Sequence, residues 1–346
     1  MPRTDKESSH QAHRGSLLPM EAGWDRAEHV HLTRQQVVEL ISPALPAPAI
    51  DGYELLTSGR ANTNYHVHST GHDLVLRLYT RDRDACAREA AILALAESLV
   101  PVPSVLHAAP ASDDGKPPYI IETWLEGLRP DDVIKAKPSL AHAVGAALGA
   151  AAAAISSFEF DRSGFLTAAP SLQVGAPLPG FESYIVSCFE EQGGAARTGE
   201  AFAARTIAFV RDNLTYVPDD RDGARLVHGD FKSSNLLVDP EDGHVTGVLD
   251  WEFAFAGSPL FDLATLLRES ANLPPDFEDG VIEGYKAAGG RLPPQWRRSV
   301  RLLDLANLCT FLTDSVAHGK STGSDQRVRD VTAAIERTIR EWESLN

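Results

Sequence analysis

Three short segments near the start of the chain either alternate hydrophobic and polar residues or run apolar, and they predict three β-strands. The segments are 53–56, 65–68 and 74–79, and polar turns separate them. A period of two is typical of a strand with one buried face, and short turns favour an antiparallel meander. Two more strands are predicted at 106–109 and 118–124.

Helical patterns flank these strands and dominate the rest of the chain. Thr33 and Gln36 have the spacing of a capping box, which predicts a helix start. Apolar residues four positions apart predict a second helix over 81–100. Further helices are predicted at 139–157 with Ser139 as its N-cap, 181–191, 200–214, 262–270, 277–288, 294–315 and 324–345. Residues 158–180 are rich in glycine and proline and are predicted to be a loop.

The order of these elements predicts an α+β protein with two parts. Residues 1–32 lack periodicity and are interpreted as a disordered tail. Residues 33–124 form the smaller part, with an antiparallel sheet, and residues 125–346 form the mainly helical part. A chain of 346 residues is long enough for two such units.

Composition narrows the function classes. The net charge of −16 argues against nucleic-acid binding, which needs a positive field, and is compatible with a cationic partner. The three cysteines have no metal-binding or disulfide spacing and are expected to be buried free thiols. No signal peptide or membrane span is predicted, since the closest apolar run, 141–155, is only weakly hydrophobic. We therefore expect a cytoplasmic protein without membrane partners, either a monomer or a homodimer.

Three polar residues are predicted to converge at the end of a hairpin. Asn235 precedes the apolar run 236–238, a turn follows, and a second apolar run over 245–249 leads to Asp250. Two strands around a turn bring the residue before the first close to the residue after the second. Asp230 lies five residues upstream of Asn235. Carboxylate and amide oxygens in this arrangement would suit Mg²⁺.

His66 and His68 form a second candidate for metal binding. They are two residues apart on a predicted strand and therefore share one face. No third ligand is nearby in the sequence, which favours the interpretation of a solvated face.

The segments LVHGDFKSSNLLV and GVLDWEFAFAGSPLFDLA, within residues 226–268, resemble the aminoglycoside phosphotransferase family. The resemblance extends over roughly residues 35–340 and implies a bilobal protein-kinase-like fold that uses ATP, with GTP as the alternative, together with Mg²⁺. It implies that Asp230 is the catalytic aspartate, which orients the substrate hydroxyl. Asn235 and Asp250 would be the metal ligands. His228 would be a scaffold residue, and Asp262 would brace the catalytic loop.

The same resemblance implies a nucleotide site in the first lobe. Arg77 would hold the α- and β-phosphates, and Glu89 would pair with it from the following helix. The loop 58–64 would cover the phosphates through backbone groups and small polar side chains, among them Ser58 and Asn62. Glu122 and Trp124 would lie where the adenine meets the crossing between the lobes.

Several functions remain open at this level. The resemblance implies a phosphotransferase that moves the ATP γ-phosphate to a hydroxyl of a small molecule, such as an amine-bearing antibiotic. The alternatives are a metabolite kinase of the choline, homoserine or sugar type and a non-catalytic nucleotide-binding homologue. A protein kinase is disfavoured because only eleven residues separate Asp250 from Asp262. The acidic residues after position 260 would favour a cationic acceptor: Glu269, Asp276, Glu278, Asp279, Asp304 and Asp314.

Overall fold

The computed structural model describes residues 29–46, 48–57, 62–69, 71–80, 82–112, 116–168, 171–219, 223–268, 270–313 and 325–345. Within these ranges the chain has the two lobes that the sequence predicts, an antiparallel sheet with helices followed by a mainly helical lobe. The fold class is therefore confirmed.

The first lobe is built on a five-stranded antiparallel sheet. Its order is β1-β2-β3-β5-β4, so the predicted three-strand meander is present and is extended by two strands. The elements are α1 Arg34–Ile41, β1 Ile50–Leu56, β2 Thr63–Ser69, β3 His72–Leu78, α2 Ala85–Ala96, β4 Val105–Ala109 and β5 Tyr119–Thr123.

Successive side chains of β3 lie on opposite faces of the sheet, and this arrangement explains how the first lobe is assembled. Leu74, Leu76 and Leu78 are buried against α1 on one face of the sheet. Arg77 therefore points to the opposite face, where α2 packs. Helix α1 begins at the predicted capping box, in which the Thr33 side chain accepts from the backbone N–H of Gln36. One strand thus separates an apolar core from a polar face that is available for chemistry.

The last residues of the predicted tail are ordered on this sheet. The backbone N–H of Val30 donates to Thr63 Oγ1 at 3.0 Å, and the N–H of Leu32 donates to the Tyr65 hydroxyl at 2.9 Å. The Tyr65 hydroxyl in turn donates to the Val30 carbonyl at 2.8 Å. Residues 1–28 of the predicted tail lie outside the described residues.

The second lobe is mainly helical. Its helices are α3 Pro130–Ala136, α4 Ala141–Ile155, α5 Phe181–Glu190, α6 Gly194–Thr198, α7 Glu200–Asp212, α8 Leu260–Leu267, α9 Asp276–Ala287, α10 Trp296–Thr310 and α11 Gln326–Glu343. Helices α4 and α8 to α10 contribute to one large core, while α5, α7, α10 and α11 enclose another. The three cysteines are buried free thiols, as predicted.

Helices α4 and α9 touch backbone to backbone. A Cβ added at Gly149 would lie 2.0 Å from the Val281 carbonyl oxygen, and one at Gly284 would lie 1.9 Å from the Ala146 carbonyl oxygen. Glycine is therefore required at this crossing. Within the described part of the chain, Pro138–Ile155 is long and apolar enough to cross a membrane, but half of it is buried inside the protein.

Two local predictions for this lobe are wrong. Ser139 is not the N-cap of α4, because Pro138–Leu140 forms a 3₁₀ turn and the helix starts at Ala141. Residues 158–180 contain strands as well as loop. Strands β6 Glu159–Phe160, β7 Gly164–Thr167 and β8 Gln173–Val174 join β9 Ala224–Val227 and β12 Phe255–Gly257 in a second sheet of order β6-β9-β12-β7-β8. Strands of two to four residues are too short to show a sequence period.

Candidate active site

A two-stranded hairpin brings Asn235 and Asp250 together, as the sequence predicts. Strand β10 Leu236–Val238 pairs antiparallel with β11 Val245–Val248. The backbone N–H of Leu249 donates to the Asn235 carbonyl at 2.8 Å, so the residues flanking the hairpin are neighbours. Asp250 itself has φ 67° and ψ 64°. This left-handed conformation is costly for a residue other than glycine and is found at functional sites.

Asp230 is held in place by two side chains of its own loop. Asn235 Nδ2 donates to Asp230 Oδ2 at 2.8 Å and to the Asp230 carbonyl at 3.0 Å. Lys232 Nζ lies 3.1 Å from Asp230 Oδ1. These contacts use the Asn235 amide nitrogen, while the amide oxygen accepts from the Ser234 hydroxyl at 3.2 Å and keeps a second lone pair for a cation. Both carboxylate oxygens therefore have a partner, and 16% of the Asp230 side chain remains exposed.

His228 is a fixed, neutral imidazole. Its Nε2 donates to the Leu249 carbonyl at 2.9 Å, and its Nδ1 accepts from the backbone N–H of Asp230 at 3.2 Å. Burial lowers the pKa of His228 below its ordinary value, against the effect of the nearby carboxylates. Both ring nitrogens are occupied, and neither can take a proton from a substrate. This agrees with the scaffold role that the family resemblance implies.

Asp262 fastens the catalytic loop to α8. Its two carboxylate oxygens accept from the backbone N–H groups of His228 at 2.8 Å and Gly229 at 2.9 Å. Burial raises the pKa of Asp262 to about 7, although both N–H groups favour the ionised form. Gly229 has φ 83°, and a Cβ there would lie 2.4 Å from the Phe253 carbonyl oxygen. The loop therefore needs glycine at this position.

Arg77 reaches from β3 across the cleft between the lobes. It is 6% exposed and donates to the Asp250 carboxylate. Its Nε lies 3.3 Å from Glu89 Oε2, so the predicted pair with α2 is present. Its Nη2 lies 3.7 Å from Glu252 Oε1. One guanidinium thus contacts three carboxylates.

Several carboxyl groups share the buried surroundings of the Arg77 guanidinium. Burial and the neighbouring acids raise the pKa of Glu122 to about 8. The same effects raise the pKa of Glu252 to about 8. Burial also favours the neutral form of Asp250, but the Arg77 guanidinium outweighs this and the pKa of Asp250 is lowered. Arg77 thus favours the ionised form of Asp250, whereas burial and the neighbouring acids favour the protonated forms of Glu122 and Glu252.

Three consecutive residues after the hairpin contact the first lobe. Asp250 pairs with Arg77, and the backbone N–H of Trp251 donates to Glu89 Oε1 at 3.1 Å. Asn62 Nδ2 donates to Glu252 Oε2 at 2.9 Å. These contacts join the predicted phosphate-binding residues to the predicted metal ligands.

The remaining predicted nucleotide residues have different surroundings. Glu122 is buried near Arg77. Trp124 stacks on His66, with ring centroids 3.8 Å apart and an interplanar angle of 6°. Ser58 lies outside the described residues. The roles assigned to all these residues, in catalysis or in binding nucleotide or metal, stay predictions.

Local sequence patterns do not identify two residues of the cleft. Glu252 lies within the segment that carries the family resemblance, but its contact with Asn62 spans 190 residues. The Tyr79 hydroxyl donates to Glu89 Oε2 at 2.5 Å. Because Tyr79 is two residues after Arg77, strand periodicity could have placed both on one face.

The acidic residues proposed to favour a cationic acceptor do not form a pocket of free carboxylates. Asp304 is buried and accepts from Arg268 Nε at 2.6 Å. Glu278 pairs with Arg297 at 3.1 Å. Asp276 and Asp279 are exposed in the first turn of α9, and Glu269 and Asp314 lie outside the described residues. The sequence argument for a cationic acceptor is therefore weakened.

Comparison with known proteins identifies the family. The model of the phosphotransferase enzyme family matches residues 52–302, which is most of the chain. The chain belongs to the phosphotransferase enzyme family. The matched region includes both the Arg77 cluster and the Asp230 loop, so the two halves of the cleft lie within one family domain.

Solved structures show the same fold at low sequence identity. Aminoglycoside phosphotransferase APH(4)-Ia is 18% identical, with a TM-score of 0.64 over 88% of this chain and 97% of that chain. The GDP complex of an aminoglycoside 2'-phosphotransferase-IIIa mutant is 20% identical, with a TM-score of 0.63 over 90% of this chain and 96% of that chain. At these identities the likeness establishes the fold alone.

Curated relatives with higher identity are much longer proteins. Acyl-CoA dehydrogenase family member 10 of Mus musculus is 28% identical over 214 residues, 60% of this chain and 19% of the relative. Acyl-CoA dehydrogenase family member 11 of Gallus gallus is 38% identical over 87 residues, 25% of this chain and 11% of the relative. The chain thus spans a fifth or less of the length of these relatives.

Proposed function

We propose that this phosphotransferase moves the γ-phosphate of ATP to a hydroxyl of a small molecule. The observation that carries the proposal is the convergence of Asp230, Asn235 and Asp250 beside Arg77 at one cleft between two lobes. Phosphoryl transfer requires positioning and charge neutralisation more than covalent chemistry, and this set of residues supplies both. Structural neighbours of the family have been solved with ADP, AMP-PNP and GDP, which supports a nucleotide donor and keeps GTP as a second candidate.

Each residue has a distinct role in this proposal. Asp230 would accept a hydrogen bond from the acceptor hydroxyl and take its proton as the transfer proceeds. The Asn235 amide oxygen and the Asp250 carboxylate are hard oxygen donors that fit Mg²⁺, which would neutralise charge on the phosphates when bound. Arg77 would bind the phosphates from the opposite lobe. The acceptor would approach Asp230 at the exposed part of its side chain.

For the acceptor we favour a hydroxyl carried on an acyl chain, such as that of a hydroxyacyl-CoA. Phe253 is 54% exposed, and its carbonyl lies against Gly229, next to Asp230. Phe165 is 52% exposed and its strand pairs with Phe255 of β12. Exposed aromatic rings, one beside the catalytic loop and one on the sheet that leads into it, suit an apolar group better than a polycation. The curated relatives carry acyl-CoA dehydrogenase in their names, which supports the same class of molecule.

An amine-bearing acceptor is the second candidate. The net charge of −16 would attract a cation. Structural neighbours have been solved with hygromycin B and with kanamycin. The ion pairs that occupy Asp304 and Glu278 count against this candidate.

A panel assay would test the proposal. Purified protein with Mg²⁺ and ATP or GTP is incubated with hydroxyacyl-CoA thioesters of several chain lengths, aminoglycosides, choline, homoserine and sugars. The product is detected by phosphorus NMR and by the mass of the added phosphoryl group. We expect transfer to a hydroxyacyl compound, whereas transfer to an aminoglycoside alone would overturn the acceptor assignment. Nucleotide binding without transfer to any acceptor would support a non-catalytic homologue.

A substitution then tests the catalytic role. Asp230→Asn should lower kcat with the confirmed acceptor by about 10²–10⁴-fold, the usual contribution of a positioned acid or base. Asp161→Asn makes the same chemical change at an exposed site and should leave kcat unchanged. Activity of Asp230→Asn within a few-fold of wild type would contradict the assigned role.

A further inference from the structure

A cluster of histidine and carboxylate side chains lies on the first sheet, apart from the catalytic loop. We propose that Glu54, His66 and His68 bind a transition-metal ion such as Zn²⁺. This site is distinct from the predicted Mg²⁺ ligands, which offer only oxygen atoms. Imidazole nitrogen combined with carboxylate oxygen is the donor set that zinc prefers.

Strand pairing brings the ligands together. His66 and His68 lie two residues apart on β2 and therefore project from one face of the sheet. Glu54 on β1 pairs directly with His66, and Asp73 on β3 pairs directly with His68. The third ligand, which the sequence lacks near the two histidines, is thus supplied by the neighbouring strand.

Distances within the cluster are close to those of a metal site. The possible ligand atoms of Glu54, His66 and His68 all lie within 4.8 Å of one another. His66 Nδ1 is 3.7 Å from Glu54 Oε1. Bonds of about 2.0–2.2 Å to zinc place tetrahedral ligand atoms about 3.3–3.6 Å apart. The Glu54 side chain is 51% exposed, so it can rotate to close the remaining gap.

The hydrogen-bond partners of the two histidine rings are compatible with a bound metal ion. His66 is 8% exposed, and its Nε2 is buried without a hydrogen bond, with Asp73 Oδ1 at 3.4 Å. With a metal on His66 Nδ1, which faces Glu54, the Nε2–H is directed toward the Asp73 carboxylate, the outer-shell arrangement typical of a metal-bound histidine. His68 Nδ1 bonds to Asp73 Oδ1 at 2.7 Å. A carboxylate that holds one nitrogen of a histidine typically orients the other toward a metal.

A tryptophan beside the cluster provides a direct signal. Trp124 stacks on the His66 ring, with centroids 3.8 Å apart. A paramagnetic ion such as Co²⁺ bound to His66 would quench the fluorescence of Trp124. The readout needs neither nucleotide nor acceptor and is therefore independent of the proposed kinase activity.

A second group of possible ligands serves as an internal control. Asp239, Asp242 and His244 lie within the same distance limit on the turn of the β10–β11 hairpin. Asp242 and His244 are exposed, and His244 already pairs with Asp242 at 2.6 Å. Among the described residues, none of these three side chains has a buried polar atom without a partner. We expect this group to contribute no tight binding.

The test is a Zn²⁺ titration of the full chain without an affinity tag, in competition with a chromophoric chelator. We expect His68→Gln to weaken the tight site by at least 10-fold and Asp73→Asn to weaken it by about 10–100-fold. His244→Gln should bind Zn²⁺ as wild type does. Co²⁺ should quench the fluorescence of the wild-type protein, and Trp124→Phe should abolish most of that quenching.

Thermal unfolding of each variant establishes that it is folded. Glu54→Gln provides a second ligand variant, on an exposed side chain of the edge strand β1, if His68→Gln does not fold. Wild-type affinity in the folded ligand variants would overturn the proposal. So would a loss of binding in His244→Gln alone.

Discussion

Arg77 is the residue whose removal should perturb the cleft most. It is 6% exposed and contacts the carboxylates of Asp250, Glu89 and Glu252. Arg77→Met keeps most of the side-chain length and removes the charge. Removing one partner of a buried ion pair costs about 3–5 kcal/mol of unfolding free energy, because the remaining charges stay buried without compensation. We expect a loss of this size at pH 8.

The pH dependence of that loss distinguishes the electrostatic contribution of Arg77 to stability from its packing contribution. In the wild type Arg77 lowers the pKa of Asp250 below the ordinary value of 3.8, despite burial. The pair therefore stabilises the native state above that value, and the benefit is lost as the pH falls through the lowered pKa. In Arg77→Met the carboxyl groups bind protons at higher pH than before. The difference in unfolding free energy between variant and wild type should thus be smaller at pH 5 than at pH 8.

Urea unfolding followed by circular dichroism measures both values. Arg297→Met is the matched control, since Arg297 is about half-exposed and pairs with Glu278 on the surface. Surface pairs contribute roughly 0–1 kcal/mol, so the control should change little at either pH. An equal loss for Arg77→Met at pH 5 and pH 8 would refute the electrostatic reasoning. A loss as small as that of the control would refute the burial argument.

Three further predictions concern the second lobe. Asp262→Asn leaves one oxygen for two backbone N–H groups; it should cost about 1–3 kcal/mol in urea unfolding and lower kcat in the transfer assay. Gly284→Ala forces a methyl group against the Ala146 carbonyl and should destabilise the protein by about 1–3 kcal/mol in thermal unfolding. The same change at Gly180, where the nearest atom is 3.6 Å away, should be nearly neutral. Phe253→Ser should lower kcat/KM for an acyl-bearing acceptor and leave nucleotide affinity, measured by calorimetry, unchanged.

Local patterns predicted the first lobe well. The alternation in 74–79 reflects a strand with an apolar face on α1, and that relation is contained in neighbouring residues. The capping box at Thr33 is equally local. The short strands of the second sheet are different, because β6 is defined by pairing with β9 more than sixty residues later. A two-residue strand has no period, so only the folded chain reveals it.

In the candidate site too, local sequence patterns predict only the contacts between nearby residues. The turn sequence between β10 and β11 is enough to predict that Asn235 and Asp250 meet. Contacts across the cleft cannot be predicted in this way, because Asn62 and Glu252 are brought together by the packing of whole lobes. Glu54 lies beside His66 through strand register, which a search for nearby ligands in the sequence does not consider.

The contacts of Asp250, Trp251 and Glu252 with the first lobe have a mechanical consequence. They occupy three successive residues of one turn, so opening the cleft would break all three contacts. Separation would be a concerted step that exposes several buried polar groups at once. A cation that takes the Asp250 carboxylate would also release Arg77 toward incoming phosphate. Loading the cation and freeing the guanidinium would then be one event, so nucleotide and metal should bind with positive coupling.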